Sequence, residues 1–191
     1  MSPEHPTLSL SLVHPLASER AMPAVLIRSA LTPRHQFRLY EQLCSNARHS
    51  YDALSRRAAT QIGRGPPPEE EGVKHLLSQL DDPQFDSLVS LLYDSPGALR
   101  PHVDDGLPGV GLSLSLGSAC VFEYGGVEMV LSSGDVLIGA FGFVIHQVSS
   151  GDVGTATFGR ARCNLQLRRG RYFASRKKVN SCGCVNGTQS C

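Results

Sequence analysis

Gly111-Leu112-Ser113-Leu114-Ser115-Leu116-Gly117 lies in the first third of residues 93–168, the stretch that decides the fold. Its apolar and polar residues alternate with a period of two, which is typical of a half-buried strand. Further short strand-like runs follow and are separated by turns rich in glycine and serine, at residues 119–124, 127–131, 136–138, 144–148 and 162–168. Successive short strands of this kind predict a sandwich or jelly roll, in which strands far apart in sequence become neighbours.

A His-x-Asp pair precedes these strands, and a second histidine lies among them. On an extended strand His102 and Asp104 point to the same face, so both can reach one metal ion. Together with His146 they complete a set of two histidines and one carboxylate, which holds Fe(II) and leaves coordination positions open. A His-x-Asp pair alone is common by chance, and most such pairs are solvated surface or turn residues. The surrounding strands favour the metal site.

In their order and spacing, the motifs of this region resemble the AlkB-like Fe(II)/2-oxoglutarate-dependent dioxygenases. The likeness covers about the last half of the chain and rests on Tyr93, Pro96-Gly97, His102-x-Asp104, Ser113-Leu114-Ser115-Leu116-Gly117, Phe122-Glu123-Tyr124-Gly125-Gly126, Gly134-Asp135-Val136-Leu137, His146 and Arg162-x-Asn164-x-x-x-Arg168. The resemblance implies a mainly β (α+β) protein with a double-stranded β-helix, or jelly-roll, core and flanking N-terminal helices.

The resemblance also implies a set of ligands and the residues that hold them. Fe(II) is expected on His102, Asp104 and His146, with O2 bound beside the cosubstrate 2-oxoglutarate. The residues expected to hold 2-oxoglutarate are Tyr93, Arg162, Asn164 and Arg168. A buried dianion needs cationic partners, and arginine offers a planar fork that binds a carboxylate at two points. The alternative is that both arginines face solvent while Leu165 and Leu167 form the core face of the strand.

The reaction implied by the resemblance is oxidative demethylation of N-methylated DNA or RNA bases, with release of succinate, CO2 and formaldehyde. Residues 160–178 contain eight basic and no acidic side chains, although the net charge of the chain is only +1. Such asymmetry can mark a phosphate-binding surface, and the alternative is a solvated tail. The candidate substrate contacts are Asp105, Tyr51, Arg169 and Arg171.

The region expected to form a substrate lid departs from the family pattern. Residues 48–84 are a short stretch with Tyr51 as its single aromatic residue, whereas enzymes that act on bases stack them on aromatic rings. Leu91 and Gly106 replace an asparagine and an acidic residue found in other members. Two alternatives therefore stay open: a dioxygenase of the same core that acts on a protein side chain or small molecule, and a catalytically silent binding module.

The 191 residues are expected to form one domain. Residues 1–21 are predicted to be a disordered tail, residues 22–178 the dioxygenase domain, and residues 179–191 a flexible tail that contains cysteines. No apolar run approaches the roughly 18 residues that a membrane helix needs. The cysteines do not indicate a disulfide framework. We expect an intracellular monomer in cytoplasm or nucleus, with an organelle as the other open possibility.

Two helices are predicted before the strand-rich part of the chain. Thr32-Pro33 has the pattern of an N-cap followed by proline in the first turn. Residues 73–80 are expected to form a short helix, and residues 63–72 a loop. The apolar stripe of the first helix is predicted to consist of Phe37, Tyr40, Leu43, Cys44 and Ala47. Cys182, Cys184 and Cys191 are expected in a flexible tail, with zinc binding as the alternative.

Overall fold

The computed structural model describes residues 9–16, 22–47, 60–65, 71–79, 85–93, 98–104, 109–150 and 162–169. Within these residues the chain is mainly β and has two helices. The elements in chain order are β1 Ser9–Val13, β2 Ala24–Arg28, α1 Pro33–Ala47, β3 Thr60–Gly65, α2 Glu71–Gln79, β4 Phe85–Tyr93, β5 Leu99–His102, β6 Gly111–Gly117, β7 Cys120–Tyr124, β8 Val127–Leu131, β9 Val136–Gly139, β10 His146–Ser150 and β11 Arg162–Arg169.

Two antiparallel sheets make up the β structure. The larger sheet has the strand order β1-β2-β9-β6-β11-β4-β3, and the smaller has the order β5-β10-β7-β8. Neighbouring strands are mostly far apart in sequence, as in the pairing of β11 with both β4 and β6. This architecture confirms the prediction of a mainly β, jelly-roll core with helices near the N-terminus.

The larger sheet is buried on both of its faces. Its outer face packs against α1 and α2 through leucines such as Leu39, Leu76, Leu114 and Leu165. Its inner face and the smaller sheet enclose a second apolar core that includes Leu26, Phe122 and Val148. The chain therefore has three layers: helices, the larger sheet and the smaller sheet.

Strand β6 shows how the polar side of this sheet becomes internal. The alternation of leucine and serine predicted one solvent-facing side, yet all seven residues are buried. Leu112, Leu114 and Leu116 belong to the core beneath the helices. Ser113 and Ser115 point to the other face, where they meet polar side chains of β11. The period-two pattern was thus correct, but its polar face lines the interior between the sheets.

Several predicted boundaries differ from the structure. The disordered tail predicted for residues 1–21 is contradicted at Ser9–Val13, which forms β1 and pairs with β2. The predicted loop 63–72 is wrong at both ends, because β3 extends to Gly65 and α2 begins at Glu71. In α1, Phe37 is 44% exposed, whereas Leu39 is fully buried. The backbone N–H of His35 donates to the Thr32 hydroxyl at 3.4 Å, as the N-cap prediction required.

Asp135 closes the tight turn between β8 and β9. Its carboxylate accepts hydrogen bonds from the backbone N–H groups of Ser29 at 3.0 Å and Ser132 at 2.9 Å. The guanidinium of Arg28 donates to it at 2.6 Å and also to the Val130 carbonyl at 2.7 Å. Since Arg28 is partly exposed, the two backbone bonds contribute more to stability than the ion pair does. The Gly-Asp motif of this turn is therefore structural.

Replacing Asp135 is expected to destabilise the fold. Asp135→Ala leaves the backbone N–H groups of Ser29 and Ser132 without this acceptor, so the free energy of unfolding should fall by about 1–3 kcal/mol. Urea denaturation followed by circular dichroism measures this change. Glu128→Ala, on the exposed face of β8, is the matched control and should change it by less than about 0.5 kcal/mol. Equal effects of the two substitutions would contradict the role assigned to Asp135.

No helix in the described part of the chain is long and apolar enough to cross a membrane.

Candidate active site

Strands β5 and β10 bring the two histidines of the predicted metal site together. They pair antiparallel with His102 directly opposite His146. Asp104 follows β5 and is held in place by its backbone N–H, which donates to the Phe141 carbonyl at 2.9 Å. One ligand atom from each of the three side chains lies within 4.8 Å of the others. The three residues that the His-x-Asp motif and His146 suggested therefore form one cluster.

Backbone carbonyls orient both imidazole rings. Nδ1 of His102 lies 2.7 Å from the Arg100 carbonyl, and Nδ1 of His146 lies 3.0 Å from the Val144 carbonyl. Because a carbonyl only accepts, each Nδ1 carries the hydrogen and each Nε2 presents a lone pair. The two Nε2 atoms lie 3.6 and 3.8 Å from Oδ1 of Asp104. Backbone acceptors commonly fix metal-binding histidines in this way.

The protonation states of the cluster suit a divalent metal. Burial lowers the pKa of His146 to about 4, so this imidazole is neutral at pH 7. Burial alone would raise the pKa of Asp104, but the His102 hydrogen bond and the Arg168 charge outweigh it and lower the pKa. The hydrogen bond to Asp104 raises the pKa of His102 against the opposing effect of burial. A metal that binds here displaces at most the proton of His102.

The Nε2 atom of His146 gives an independent test of metal fit. His146 is 2% exposed, and within the described part of the chain its Nε2 has no hydrogen-bond partner. Buried polar atoms normally have partners, because an unsatisfied one costs free energy. A metal ion held by His146, His102 and Asp104 would satisfy this atom. Two imidazoles and a carboxylate are the donor set that Fe(II) accepts in non-haem sites. The residues present thus fit Fe(II).

Strand β11 carries a row of polar side chains on its inner face. Arg162, Asn164 and Arg168 are all at most 3% exposed, so the alternative in which the arginines face solvent does not hold. Leu165 and Leu167 lie on the opposite face, in the core beneath the helices. Because alternate residues of a strand point to the same face, the three polar side chains all lie in the interior between the sheets.

Arg162 lies in a buried environment with unused donors. Its Nη2 donates to the Ser115 hydroxyl at 3.1 Å, and its guanidinium lies 4.8 Å from the centre of the Tyr93 ring. Its Nε and Nη1 have no hydrogen-bond partner among the residues that the structure describes. Among the described residues no carboxylate forms an ion pair with it. A buried cation of this kind fits a bound carboxylate.

Tyr93 and Asn164 extend this donor-rich surface. Burial raises the pKa of Tyr93 although Arg162 opposes the shift, so the hydroxyl stays protonated and can donate. The Asn164 amide donates to the Ser113 hydroxyl at 2.7 Å and to the Leu114 carbonyl at 3.2 Å. Its Oδ1 is buried and accepts no hydrogen bond from the described residues. Tyr93 and Leu91 pair with Arg162 and Asn164 across β4 and β11, which places an apolar side chain beside Asn164.

Arg168 is arranged differently from Arg162. Its Nη2 donates to Oδ2 of Asp104 in a short ion pair and to Oε1 of Gln166 at 2.9 Å. Its guanidinium lies 4.9 Å from the centre of the Phe141 ring. Arg168 therefore holds the carboxylate of the metal cluster. It crosses Gly111 so closely that a Cβ there would lie 2.4 Å from its Nη1.

Phe122 and Phe141 are site residues that sequence reasoning missed. Their rings lie 6.0 and 5.0 Å from the His146 ring, which they shield from solvent. Phe122 belongs to an alternating strand, so its parity could have shown that it faces inward. Phe141 lies in the β9–β10 turn, where no periodicity indicated its direction.

The predicted substrate contacts are not tested by the structure. Asp105, Tyr51 and Arg171 lie outside the described residues, as do Cys182, Cys184 and Cys191. Arg169 ends β11, but its side chain is not among those described.

The comparisons with known proteins concern the fold. No protein-family model matches the sequence, and a search of curated proteins finds no match. A prolyl-4-hydroxylase from Pseudomonas putida matches 78% of this chain and 92% of its own, with a TM-score of 0.56 and 19% identity. The chain has the fold of this prolyl hydroxylase. The jelly-roll prediction is thus confirmed.

Two other solved structures are more distant. The viral collagen prolyl hydroxylase of Paramecium bursaria Chlorella virus-1, in complex with 2OG, matches 78% of this chain and 96% of its own at 13% identity and a TM-score of 0.47. KdgF from Halomonas sp. matches 44% of this chain and 70% of its own, with 16% identity and a TM-score of 0.32. The match to the Pseudomonas putida prolyl-4-hydroxylase shows the fold but not the AlkB-like family, so the AlkB-like resemblance rests on the sequence motifs.

Proposed function

We propose that this protein is an Fe(II)- and 2-oxoglutarate-dependent dioxygenase. The observation that carries the proposal is that the interior between the sheets contains both a cluster of metal-binding side chains and a buried cation. Among the described residues, the buried Nε2 of His146 has no hydrogen-bond partner, and neither have Nε and Nη1 of the buried Arg162 guanidinium. A metal and a dicarboxylate would complete both. A catalytically silent binding module would have no need for both sites to be intact.

The residues of the chain divide the work of such an enzyme. His102, Asp104 and His146 would hold the metal, and Arg168 keeps the Asp104 carboxylate in place. When bound, Fe(II) with 2-oxoglutarate and O2 supplies the oxidising chemistry that hydroxylates a C–H bond and yields succinate and CO2.

The other polar and aromatic residues would bind the cosubstrate and exclude water. Arg162 and Tyr93 would bind the distal carboxylate of 2-oxoglutarate by charge-assisted hydrogen bonds. Phe122 and Phe141 exclude water from the His146 side of the cluster. No separate acid or base is needed in the described part of the site.

As substrate we propose a protein side chain. Three apolar residues, Val110, Phe143 and Ile145, are exposed. Val110 and Ile145 directly precede Gly111 and His146 in the chain, and Phe143 follows Phe141 by two residues. Exposed apolar groups close to a site favour a polypeptide or another partly apolar substrate over a polyanion. The shared fold with a prolyl-4-hydroxylase, over nearly the whole of that enzyme, is in keeping with this choice.

N-methylated DNA or RNA is the second candidate substrate. Its support is the order of the motifs and the basic stretch 160–178. The structure weakens the second part of this support, because Arg162 and Arg168 are buried and cannot contribute to a phosphate-binding surface. If the hydroxylated carbon is an N-methyl group, the hemiaminal collapses to formaldehyde and the demethylated base.

Succinate production tests the proposal. Anaerobically iron-loaded protein is mixed with 2-oxoglutarate and O2, alone and then with peptide pools or methylated single-stranded DNA and RNA. We expect stimulation by peptides, and a loss of at least about a hundredfold in His102→Ala, since even outer-shell changes at metal sites cost 10- to 100-fold. His14→Ala, an exposed histidine, is the control.

Three other results of this assay would change or overturn the proposal. Stimulation by methylated nucleic acid alone, with formaldehyde release, would move the substrate to the second candidate. The absence of iron-dependent succinate from well-folded wild-type protein under every condition would overturn the dioxygenase proposal. Equal activity of wild type and His102→Ala would show that the metal cluster is not the site of the reaction.

A further inference from the structure

Cys120 is a fully buried cysteine with no part in the metal cluster. It opens β7 and belongs to the core between the two sheets, unlike Cys44 and Cys163, which lie on the helix side of the larger sheet. It shares that buried cluster with Tyr93, whose ring centre lies 4.8 Å from the Arg162 guanidinium. In keeping with this position, the charge of Arg162 lowers the pKa of the Cys120 thiol against the larger effect of burial. The cysteine therefore lies at the cationic end of the interior.

The groups around Arg162 share one chemical property. Tyr93 contributes a hydroxyl, Ser115 a hydroxyl that contacts Nη2, and Cys120 a thiol. Burial raises the pKa of the Cys120 thiol more than Arg162 lowers it, so the thiol keeps its hydrogen. The described surroundings of the guanidinium thus consist of neutral groups that can donate to an oxyanion, with no carboxylate paired to it.

Cys120 also limits the space available at this end. The side chain is 0% exposed and is backed by Leu131, its partner across β7 and β8. A carboxylate that reaches the free Nε and Nη1 of Arg162 must fit beside the sulfur. In a closely packed interior, a change of one methylene in the ligand or in a surrounding side chain has a large effect on binding affinity.

We propose that Cys120 is a specificity-determining residue of the cosubstrate pocket: its thiol contacts the distal carboxylate and sets the length of dicarboxylate that fits between Arg162 and the metal cluster. This inference rests on the proposed dioxygenase function. It assigns a ligand-binding role to a buried cysteine, a residue type that usually behaves as a small apolar side chain of the core.

The test measures binding rather than turnover. Protein loaded with Mn(II) under argon is titrated by calorimetry with oxaloacetate, 2-oxoglutarate and 2-oxoadipate, which differ by one methylene each. Wild type should prefer 2-oxoglutarate. Cys120→Ala removes a sulfur of about the size of one methylene. Its affinity for 2-oxoglutarate should fall about tenfold while that for 2-oxoadipate holds or rises, the scale expected for one methylene in a fitted pocket.

Two further variants keep the result interpretable. Cys120→Ser retains a small donor and should bind 2-oxoglutarate within about threefold of wild type, since the polar contact is conserved. Cys44→Ala removes the cysteine of α1 on the other side of the larger sheet and should leave the order of the three ligands unchanged. Thermal denaturation without ligand checks that each variant is folded.

The possible results distinguish a failure of the Cys120 proposal from a failure of the dioxygenase proposal. If wild type binds 2-oxoglutarate and folded Cys120→Ala shows the same affinities for all three acids, the role of Cys120 is refuted while the dioxygenase proposal stands. If Cys120→Ser loses binding as fully as Cys120→Ala, the thiol is not acting as a small donor and the inference fails. If wild type binds none of the acids, both proposals fall.

Discussion

Asp104→Asn is expected to lower metal affinity and succinate production at least about a hundredfold, because it replaces the single anionic ligand by a neutral amide of the same shape. The carboxylate also neutralises Arg168, which is 3% exposed and donates to it. The amide keeps one acceptor for that hydrogen bond but not the charge. The metal-free variant should therefore lose about 1–3 kcal/mol in free energy of unfolding, the cost of a buried charge that is less well satisfied.

Calorimetric titration with Mn(II) and urea denaturation measure the two effects separately. Glu41→Gln, the same chemical change on the exposed side of α1, is the matched control and should alter neither quantity. Retention of wild-type metal affinity by Asp104→Asn would show that the carboxylate serves only as the counter-ion of Arg168. Loss of affinity with unchanged stability would instead show that the ion pair contributes nothing to the metal-free fold.

The sequence predicted side-chain positions best where the period-two alternation of a strand and a motif of polar residues indicated the same face. On β11 the even positions carry polar residues, Arg162, Asn164 and Arg168 among them, and the odd positions from 163 to 167 carry apolar residues. A single register therefore predicted which side chains share a face, and the structure places them together. The same holds for His102 and Asp104, since a spacing of two on an extended chain leaves little freedom.

Sequence reasoning failed where tertiary structure decided which face was outside. Ser113 and Ser115 looked solvent-facing because polar residues usually are, but both sides of β6 are covered. The leucines of β1 looked like part of an unstructured tail, and only pairing with β2, which a local pattern cannot show, makes that segment a strand. Phe37 fits the helical stripe by spacing, but the larger sheet contacts the adjacent stripe that contains Leu39.

The different partners of the two arginines could not be predicted from the motif. Both occupy equivalent positions on one face, and the resemblance assigns both to 2-oxoglutarate. Their partners depend on neighbouring strands: Arg162 lies against Tyr93 and Ser115, whereas Arg168 reaches Asp104 across Gly111. Arg162 is therefore the arginine whose charge lacks a carboxylate in the described structure, and its removal gives the second large expected effect.

Arg162→Met is expected to abolish detectable 2-oxoglutarate binding, a loss of at least about a hundredfold, because charge-assisted hydrogen bonds to a buried carboxylate disappear. The ligand-free protein should nevertheless become more stable. Arg162 is 1% exposed, and two of its nitrogens have no hydrogen-bond partner in the described ranges. Replacing a buried charge by an apolar side chain of similar volume is often stabilising by about 1–4 kcal/mol. Loss of binding with a gain in stability is typical of a residue kept for its ligand.

A purely structural role for Arg162 predicts the opposite change in the free energy of unfolding. If Arg162 served mainly to anchor Ser115 and Tyr93, Arg162→Met would lower the free energy of unfolding and leave 2-oxoglutarate affinity little changed. Urea denaturation without ligand and calorimetry with Mn(II)-loaded protein decide between the two. Arg34→Met, on the exposed surface of α1, controls for the loss of a positive charge and should change neither value by more than about 0.5 kcal/mol. The sign of the change in the free energy of unfolding thus shows whether Arg162 serves to bind an anion or to stabilise the fold.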